Sequence, residues 1–281
     1  ADTLGYDNPF RYRSYYYDLE TGLFYVGSRY YDPEIGRFIN ADEPVMLFYG
    51  EVNLFAYCYN NPANYFDPSG YIPTALEAAY MAAHVYSQKG TLTGGWTYVT
   101  KYTNGGLVMG VYYKSSTKEY CIVNKGTTWN SLSNWKNSIL QPFGASADME
   151  KSIARSKEYV NNIYKGYQIT FIGHSKGGAE AAANAVATNK NCIIFNPATV
   201  NLGAYALSSS SYKASMTAYI VRGEILNYSF GWMSTPIGKA VYLPQKWGGK
   251  WYTLWQTSMI DRSMNHLMSS VISALKEAGY K

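Results

Sequence analysis

The sequence predicts an α/β domain with a largely parallel sheet, preceded by a short β-rich segment. Residues 1–70 hold twelve of the 30 tyrosines and a net charge of −6, from four Arg against ten Asp or Glu. Residues 71–281 carry +11, from 20 Lys or Arg against nine acids. In this second part, strand patterns alternate with helical ones, which is typical of α/β proteins. The shift in composition predicts a domain boundary near Gly70.

Length and composition exclude several classes of protein. With 281 residues, of which 47% are hydrophobic and 15% charged, the chain is long enough for one large domain or a medium domain plus a small one. It contains neither an apolar run long enough for a transmembrane helix nor a signal-peptide pattern, and without an initiating Met we interpret it as a fragment. Cys58, Cys121 and Cys192 lack C-x-x-C spacing and predict buried free thiols.

The β-rich segment contains an internal repeat. Residues 17–24 (YDLETGLF) recur fourteen residues later as residues 31–38 (YDPEIGRF). Each copy surrounds a D-x-E-x-G turn with aromatic or apolar residues, and the glycine permits a positive φ. The repeat predicts β-hairpins joined in one sheet, which is too small to be stable without neighbours.

Residues 8–70 resemble a known family. The strings NPFRYRSYYYDLETGLFYVGSRYYDPEIGRF and NLFAYCYNNPANYFDPSG are similar to the Rhs-associated core of Rhs/YD-repeat polymorphic toxins. The resemblance implies that an upstream Rhs shell encloses a C-terminal toxin and that the chain cuts itself at a D-P-x-G-L motif. Here residues 67–71 read DPSGY, with Tyr in place of Leu, which implies a cut just after Tyr71. The expected domains are therefore 1–71 and 72–281.

The resemblance also implies which acids perform this self-cleavage. Asp32 and Asp42 stand where the family's acids lie, and two carboxylates that share a proton provide aspartic-protease chemistry. The alternative is that Asp32 caps a turn and Asp42 opens a loop. From the sequence both interpretations remain open.

The second part of the chain predicts helices and strands in alternation. An Ala-rich helix is expected after Thr74, which is a suitable N-cap. Further helical patterns cover residues 129–140, 147–164 and 179–188. Strand patterns cover residues 94–102, 107–113, 118–123, 168–172, 192–195 and 218–221.

A G-x-S-x-G motif lies between a predicted buried strand and a predicted helix. Residues 173–178 read GHSKGG. A sharp turn between strand and helix would lift the hydroxyl of Ser175 above the sheet edge, at a helix N-terminus that favours a developing negative charge. The motif therefore predicts that Ser175 is a catalytic nucleophile. The alternative is a tight turn without catalytic function.

The three histidines of the chain limit the choice of general base. His84 precedes the motif on the Ala-rich helix and is expected in a structural role. His174 adjoins Ser175 within the turn and cannot easily reach its hydroxyl. His266 follows the nucleophile in the chain, as serine hydrolases of this type require, and is therefore the predicted base.

The acid of the predicted triad has two candidates. Glu224 follows the strand pattern 218–221, where the acid of such a fold emerges, and it is preferred. Asp261 lies five residues before the histidine and is the alternative. Glu180 is expected to point away from the sheet edge. If Glu224 were instead ion-paired with Arg222 on an exposed turn, it would have no catalytic part.

A second resemblance covers residues 74–275. The oxyanion hole needs the N–H of Lys176 and one from an earlier strand-to-helix loop, which residues 120–129 can supply. NKGT at 124–127, GHSKGG and the segment around Glu224 together resemble class 3 lipases, which are fungal-lipase-like α/β-hydrolases, and related bacterial lipase-like toxin domains. This implies an α/β-hydrolase fold with Thr127 as the second oxyanion residue. The sequence departs from the family in having Glu for the usual Asp and Asn124 for an aromatic.

The resulting functional hypothesis is a serine lipase or phospholipase toxin that uses neither a cofactor nor a metal. Membrane phospholipid is the expected substrate, because the +11 charge and the aromatic residues at 230–233 and 247–251 and at Trp255 suit a lipid surface. These aromatics could equally pack the core. By analogy with the toxin family, a cognate immunity protein is the expected partner, and the protein would be secreted and act at target-cell membranes. A catalytically inactive binding module and a nucleic-acid-targeting toxin are the alternatives.

Overall fold

The computed structural model describes residues 9–11, 15–26, 29–40, 73–127, 146–226, 237–248 and 259–280. The chain divides into two compact units, Ala1–Ile72 and Pro73–Lys281. Among the described residues, none of the helices combines the length and the apolar composition needed to cross a membrane.

The first unit contains a four-stranded antiparallel sheet, as the repeat predicts. Its strands lie side by side in chain order: β1 (Tyr16–Asp18), β2 (Leu23–Val26), β3 (Arg29–Asp32) and β4 (Arg37–Phe38). Side chains alternate between the two faces along each strand. One face buries an apolar cluster of Tyr15, Phe24, Val26, Tyr31 and Phe38.

The two copies of the repeat form the β1–β2 and β3–β4 turns. The turn glycine has a φ of 73° at Gly22 and 68° at Gly36, which other residues adopt only with strain. Asp18 Oδ1 and Asp32 Oδ1 each accept the backbone N–H two residues further on, at 3.0 Å and 2.8 Å. The D-x-E-x-G sequence therefore encodes the same turn twice.

The second unit is built on a seven-stranded mixed sheet. The strands again lie in chain order: β5 (Trp96–Asn104), β6 (Leu107–Lys114), β7 (Glu119–Asn124), β8 (Gln168–His174), β9 (Asn191–Phe195), β10 (Met216–Val221) and β11 (Lys239–Leu243). Strands β5 to β7 form an antiparallel meander, and β7 to β11 pair in parallel. This α/β architecture confirms the predicted fold class.

Of the five α-helices in the described part of this unit, four pack in two pairs beside the sheet. The helices are α1 (Ala75–Ser87), α2 (Ala147–Glu158), α3 (Lys176–Thr188), α4 (Met259–His266) and α5 (Met268–Glu277). Helix α1 packs on α5, and α2 packs on α3. The predicted N-cap of α1 is confirmed: Thr74 Oγ1 accepts the N–H of Glu77, whose carboxylate accepts the N–H of Thr74, at 3.1 Å and 2.7 Å.

Two helix boundaries differ from the sequence prediction. Helix α3 begins at Lys176 rather than Ala179, because the two glycines after Lys176 continue the helix although they carry no apolar pattern. Helix α2 ends at Glu158, and a π-helical turn (Tyr159–Ile163) follows, closed by a hydrogen bond from Tyr164 N–H to the Tyr159 carbonyl. The predicted helix at 129–140 lies outside the described residues.

Small side chains let α3 lie close to the centre of the sheet. Ala181, Ala182 and Ala185 pack in the same buried cluster as Phe171 of β8 and Ile122 of β7. Because α3 follows β8 directly, this packing fixes its N-terminus at the carboxyl ends of the parallel strands.

Cys121 and Cys192 are buried free thiols, as predicted, whereas Cys58 lies outside the described residues. Burial raises the pKa of both thiols, which keeps them protonated and unreactive.

Candidate active site

Ser175 occupies a strained turn between β8 and α3. Its φ of 59° and ψ of −127° are rare for a residue with a side chain. A Cβ atom at Gly173 would lie 2.0 Å from the carbonyl oxygen of Gly177, and one at Gly177 would lie 2.2 Å from that of Asn124. Both positions therefore require glycine, and the G-x-S-x-G sequence has the strand, turn and helix context that it predicts.

The main chain of Ser175 is held from two sides. Its N–H donates to the Phe195 carbonyl at the end of β9, at 3.1 Å. Its carbonyl accepts the N–H of Gly178 at 2.9 Å and that of Ala198 at 3.0 Å. The residue is 3% exposed and precedes the first residue of α3, so its hydroxyl lies at the positive end of the helix dipole.

His266 and Glu224 form a buried pair. His266 Nδ1 lies 2.7 Å from Glu224 Oε2, and the two residues are 0% and 1% exposed. Glu224 comes just after β10, and the same oxygen accepts the N–H of Leu226 at 3.0 Å. Asp261 lies on α4, five residues before His266, but the structure brings Glu224 to this nitrogen instead. Burial of its carboxylate also removes the exposed-turn interpretation of Glu224.

His266 is joined to the turn that carries Ser175. Its ring centroid lies 4.8 Å from that of His174, the residue before Ser175. The main-chain carbonyl of His266 accepts hydrogen bonds from His174 Nε2, at 2.7 Å, and from Asn196 Nδ2, at 3.1 Å. Burial, together with the neighbouring His266, lowers the pKa of His174 to about 3, so His174 is neutral at physiological pH. The structure thus places Ser175, His266 and Glu224 at the carboxyl end of the sheet.

The loop after β7 approaches Ser175 closely. A Cβ atom at Gly126 would lie 3.2 Å from Ser175 Cβ and 2.5 Å from the His174 carbonyl oxygen. Gly126 is therefore required for this close approach. Thr127, the predicted second oxyanion residue, comes next in the same loop, and the predicted donor Lys176 is the first residue of α3.

A buried polar cluster lies behind this loop. Asn124 Nδ2 donates to Ser152 Oγ at 2.9 Å and to Glu180 Oε2 at 3.0 Å, and Asn184 Nδ2 donates to Asn124 Oδ1 at 3.0 Å. Lys176 Nζ lies 3.5 Å from Glu180 Oε1, so its side chain is turned towards this cluster. Burial raises the pKa of Glu180 to about 7. The expectation that Glu180 points away from the sheet edge is wrong, because its carboxylate faces the end of β7.

Several candidate residues fall elsewhere. Asp32 Oδ1 accepts the N–H groups of Glu34 and Ile35, at 2.8 Å and 3.4 Å, so its carboxylate caps the β3–β4 turn. Asp42, Tyr71 and the aromatic residues at 230–233, 251 and 255 lie outside the described residues. Trp247 is 46% exposed. His84 is structural, as expected: it is buried, and its Nδ1 lies 2.9 Å from Tyr112 Oη.

Sequence reasoning missed the polar residues that surround the candidate triad. Tyr86 and Asn196 contact it through His174 and His266, and neither belongs to a motif. For the cluster behind the loop, one signal was present: Asn124 replaces an aromatic residue of the resembled family, and such a replacement in a buried strand requires polar partners.

Comparison with family models decides the classification of this domain. A model described as phospholipase-like, the Tle-like phospholipase domain, matches residues 77–230, which is more than half of the chain. The chain belongs to this family. The matched region of the Tle-like domain includes the turn with Ser175, the loop with Gly126 and the acid Glu224.

Curated relatives of this Tle-like chain include proteins named as toxins. It is 32% identical over 122 residues to "tRNA nuclease WapA" of Bacillus subtilis (strain 168), covering 42% of the chain and 5% of that protein. It is 34% identical over 116 residues to "Double-stranded DNA deaminase toxin A" of Burkholderia cenocepacia (strain H111), covering 41% and 8%. With "Toxin protein Tse5" of Pseudomonas aeruginosa it shares 41% over 75 residues, covering 26% and 6%. The chain thus spans less than a tenth of each.

Solved structures similar to the Tle-like chain include fungal lipases. A triacylglycerol lipase from Penicillium expansum has a TM-score of 0.43 and 15% identity, covering 60% of this chain and 78% of that one. A Rhizomucor miehei lipase in complex with its propeptide has a TM-score of 0.46 and 15% identity, covering 60% and 67%.

Proposed function

We propose that residues 72–281 are a serine ester hydrolase that cleaves acyl esters of membrane phospholipids with a Ser175–His266–Glu224 triad. The observation that carries this proposal is the buried 2.7 Å contact between His266 Nδ1 and Glu224 Oε2. The same histidine is hydrogen-bonded through its carbonyl to His174, the residue that precedes Ser175. Membership of a phospholipase-like family supports the substrate class.

The geometry supports a specific catalytic role for each of the three residues. A carboxylate at Nδ1 keeps the proton of a neutral imidazole on that nitrogen, which leaves the Nε2 lone pair of His266 available for the Ser175 hydroxyl proton. Ser175 Oγ then attacks the ester carbonyl, and His266 returns the proton to the leaving alcohol. Water hydrolyses the acyl-enzyme by the same route. Glu224 stabilises the imidazolium that forms in each half-reaction.

The charge that develops on the ester oxygen requires hydrogen-bond donors. We assign the backbone N–H groups of Lys176 and Thr127, because Lys176 begins α3 and the loop with Thr127 lies beside Ser175. The Lys176 side chain does not contribute, since Asp148 Oδ2 holds its Nζ at 2.8 Å. This mechanism uses neither a metal nor a cofactor.

We propose that the chain belongs to a secreted polymorphic toxin that is delivered as an effector and acts at target-cell membranes. Relatives named as toxins and the +11 charge of residues 71–281 support this. In this proposal residues 1–71 are the end of an Rhs-associated core that follows an upstream shell, and a cognate immunity protein is the partner. The nuclease and deaminase activities in the names of two relatives belong to those proteins, and the proposed target of this chain is the phospholipid membrane.

Phospholipid vesicles test the enzymatic proposal. The wild-type chain should release fatty acid from them and hydrolyse short p-nitrophenyl esters, a serine-directed phosphonate should label Ser175, and Ser175→Ala should abolish all three. Vesicle binding without hydrolysis would instead indicate an inactive binding module. Hydrolysis that survives Ser175→Ala would refute the proposed nucleophile.

Self-cleavage has a separate test. We propose a cut just after Tyr71 that depends on Asp32 and Asp42. The intact mass of the chain, expressed with its natural upstream sequence, should show this cut, and Asp32→Asn or Asp42→Asn should prevent it. Asn at position 32 can still accept the N–H of Glu34, so the turn survives the substitution. An uncut wild-type chain would contradict this proposal and leave the esterase proposal untouched.

A further inference from the structure

A continuous chain of hydrogen bonds runs beneath the candidate site. Tyr86 Oη lies 2.8 Å from His174 Nδ1 and accepts the backbone N–H of Gly126. His174 Nε2 lies 2.7 Å from the main-chain carbonyl oxygen of His266. Four segments are joined in this way: α1, the loop after β7, the end of β8 and the end of α4.

The chemistry of the groups fixes the direction of every bond. A carbonyl oxygen only accepts, so His174 Nε2 carries a proton and donates it to His266. The imidazole is neutral because burial lowers its pKa to about 3, so Nδ1 of His174 has no proton and accepts from the Tyr86 hydroxyl. That hydroxyl has donated its only proton and therefore accepts from Gly126. Each donor in the chain meets an acceptor.

The two ends of this chain of hydrogen bonds are the two parts of the proposed site that must be aligned with Ser175. Gly126 precedes Thr127 in the proposed oxyanion loop, and its backbone lies beside Ser175. His266 carries the proposed general base. Between them stands His174, which is covalently bonded to the nucleophile residue. A shift of either end relative to Ser175 would stretch one of these hydrogen bonds.

We propose that Tyr86 and His174 are positioning residues that hold the oxyanion loop and the general base in register with Ser175. This inference rests on the proposed esterase function. Neither side chain contacts substrate in this scheme, and both act through main-chain groups. Asn196, the residue after β9, donates to the same His266 carbonyl at 3.1 Å and supports the proposed base from that side.

Loss of a positioning residue should lower kcat more than it raises KM. The base and the oxyanion donors act on the transition state, whereas ground-state binding of the acyl chain does not depend on them. Misplacement of a reacting group by about 1 Å can cost about a hundredfold in rate. We therefore expect Tyr86→Phe to lower kcat by about tenfold and His174→Leu by about a hundredfold, with KM within about threefold of wild type.

Two substitutions of His174 distinguish its hydrogen bond to Tyr86 from its hydrogen bond to His266. Gln places an N–H donor near the position of Nε2 and can still reach the His266 carbonyl. Asn is too short to reach it but can accept from Tyr86. His174→Gln should therefore retain more kcat than His174→Asn, because the bond to His266 aligns the base. If His174 had only a structural role, the variant with the lower melting temperature would instead be the one with the lower kcat.

A second tyrosine–histidine pair, between β6 and the helix that carries Tyr86, provides the matched control. Tyr112 Oη lies 2.9 Å from His84 Nδ1, both residues are buried, and neither takes part in the hydrogen bonds that join Tyr86, His174 and His266. Tyr112→Phe removes a buried hydroxyl of the same kind. It should lower the melting temperature about as much as Tyr86→Phe while kcat stays near that of wild type.

The assay is steady-state hydrolysis of p-nitrophenyl butyrate by the full chain, with the melting temperature of each variant measured alongside. A full wild-type kcat in both Tyr86→Phe and His174→Leu would overturn the inference while the esterase proposal stands. Equal losses of kcat in Tyr112→Phe and Tyr86→Phe would also overturn it. If the wild type were inactive, or Ser175→Ala remained active, the proposed function itself would fail first.

Discussion

Replacement of Glu224 by Gln separates the charge of the carboxylate from its hydrogen bonds. The same oxygen, Oε2, accepts from His266 Nδ1 at 2.7 Å and from the Leu226 N–H at 3.0 Å. The carbonyl oxygen of a Gln side chain in that position accepts both bonds. What the variant loses is the negative charge opposite the imidazolium.

The size of this loss follows from the geometry. With Nδ1 and Oε2 2.7 Å apart, the centres of the two charged groups are about 4 Å apart, where unit charges interact by about 4 kcal/mol at an effective dielectric constant near 20. At about 1.4 kcal/mol for each factor of ten, kcat should fall by about a thousandfold. KM should change little, because the imidazolium forms only as the reaction proceeds.

Initial rates with p-nitrophenyl butyrate measure this change, and circular dichroism verifies that the variant is folded. Asp261→Asn is the matched control, since it removes the charge of the other candidate acid. Its kcat should stay within about threefold of wild type. A Glu224→Gln enzyme with near-normal kcat, or a thousandfold loss in Asp261→Asn, would refute the assignment of the acid.

Three further outcomes test the surroundings of the site. Gly126→Ala should lower kcat by about a hundredfold, because its Cβ would lie 2.5 Å from the His174 carbonyl oxygen, whereas Gly203→Ala, which meets only Asn201 Oδ1 at 3.4 Å, should behave as wild type. The folded-state pKa of Glu180 is raised from 4.5 to about 7, so its contribution to stability is present below 4.5 and is lost as the pH rises towards 7. Between pH 5 and pH 8, the free energy of urea unfolding of the wild type should decrease by on the order of 3 kcal/mol more than that of Glu180→Gln. The same pH dependence in both proteins would contradict the raised pKa. His174 has the opposite sign, because its folded-state pKa is lowered from 6.5 to about 3: wild-type stability should fall as the pH drops below 6.5. On acidification to about pH 5, the free energy of unfolding of His174→Gln should fall by about 2 kcal/mol less than that of the wild type. An equal fall in both proteins would show that His174 does not titrate in this way.

Local signals in the sequence were sufficient for the fold and for the position of Ser175 between strand and helix. Apolar strand patterns and the cap at Thr74 located β8 and α1, because each depends on neighbours within a few residues. The G-x-S-x-G motif predicted the strained turn at Ser175 for the same reason. The fourteen-residue repeat predicted the first sheet because both of its copies encode the same turn.

Contacts between distant segments were not predictable in this way. The strand pattern at 218–221 favoured Glu224 over Asp261, but it did not predict the contact itself, because Glu224 meets His266 across 42 positions of chain. Tyr86 contacts His174 across 88 positions of chain, and a lone tyrosine on an Ala-rich helix carries no signal of that contact. Asn124 gave a weak indication, because its departure from an apolar residue required partners that only the folded chain supplies.

The direct bond from His174 to the His266 carbonyl has a consequence for how the enzyme tolerates change. Because His174 and Ser175 are consecutive, movement of the end of β8 carries Ser175 and the residue that anchors His266 in the same direction. Asn196 after β9 and Glu224 after β10 hold the same histidine, so its position depends on three neighbouring strand ends. A core substitution that shifts these strand ends together should therefore leave the separation of Ser175 and His266 unchanged, so that this domain can lose stability before it loses this geometry.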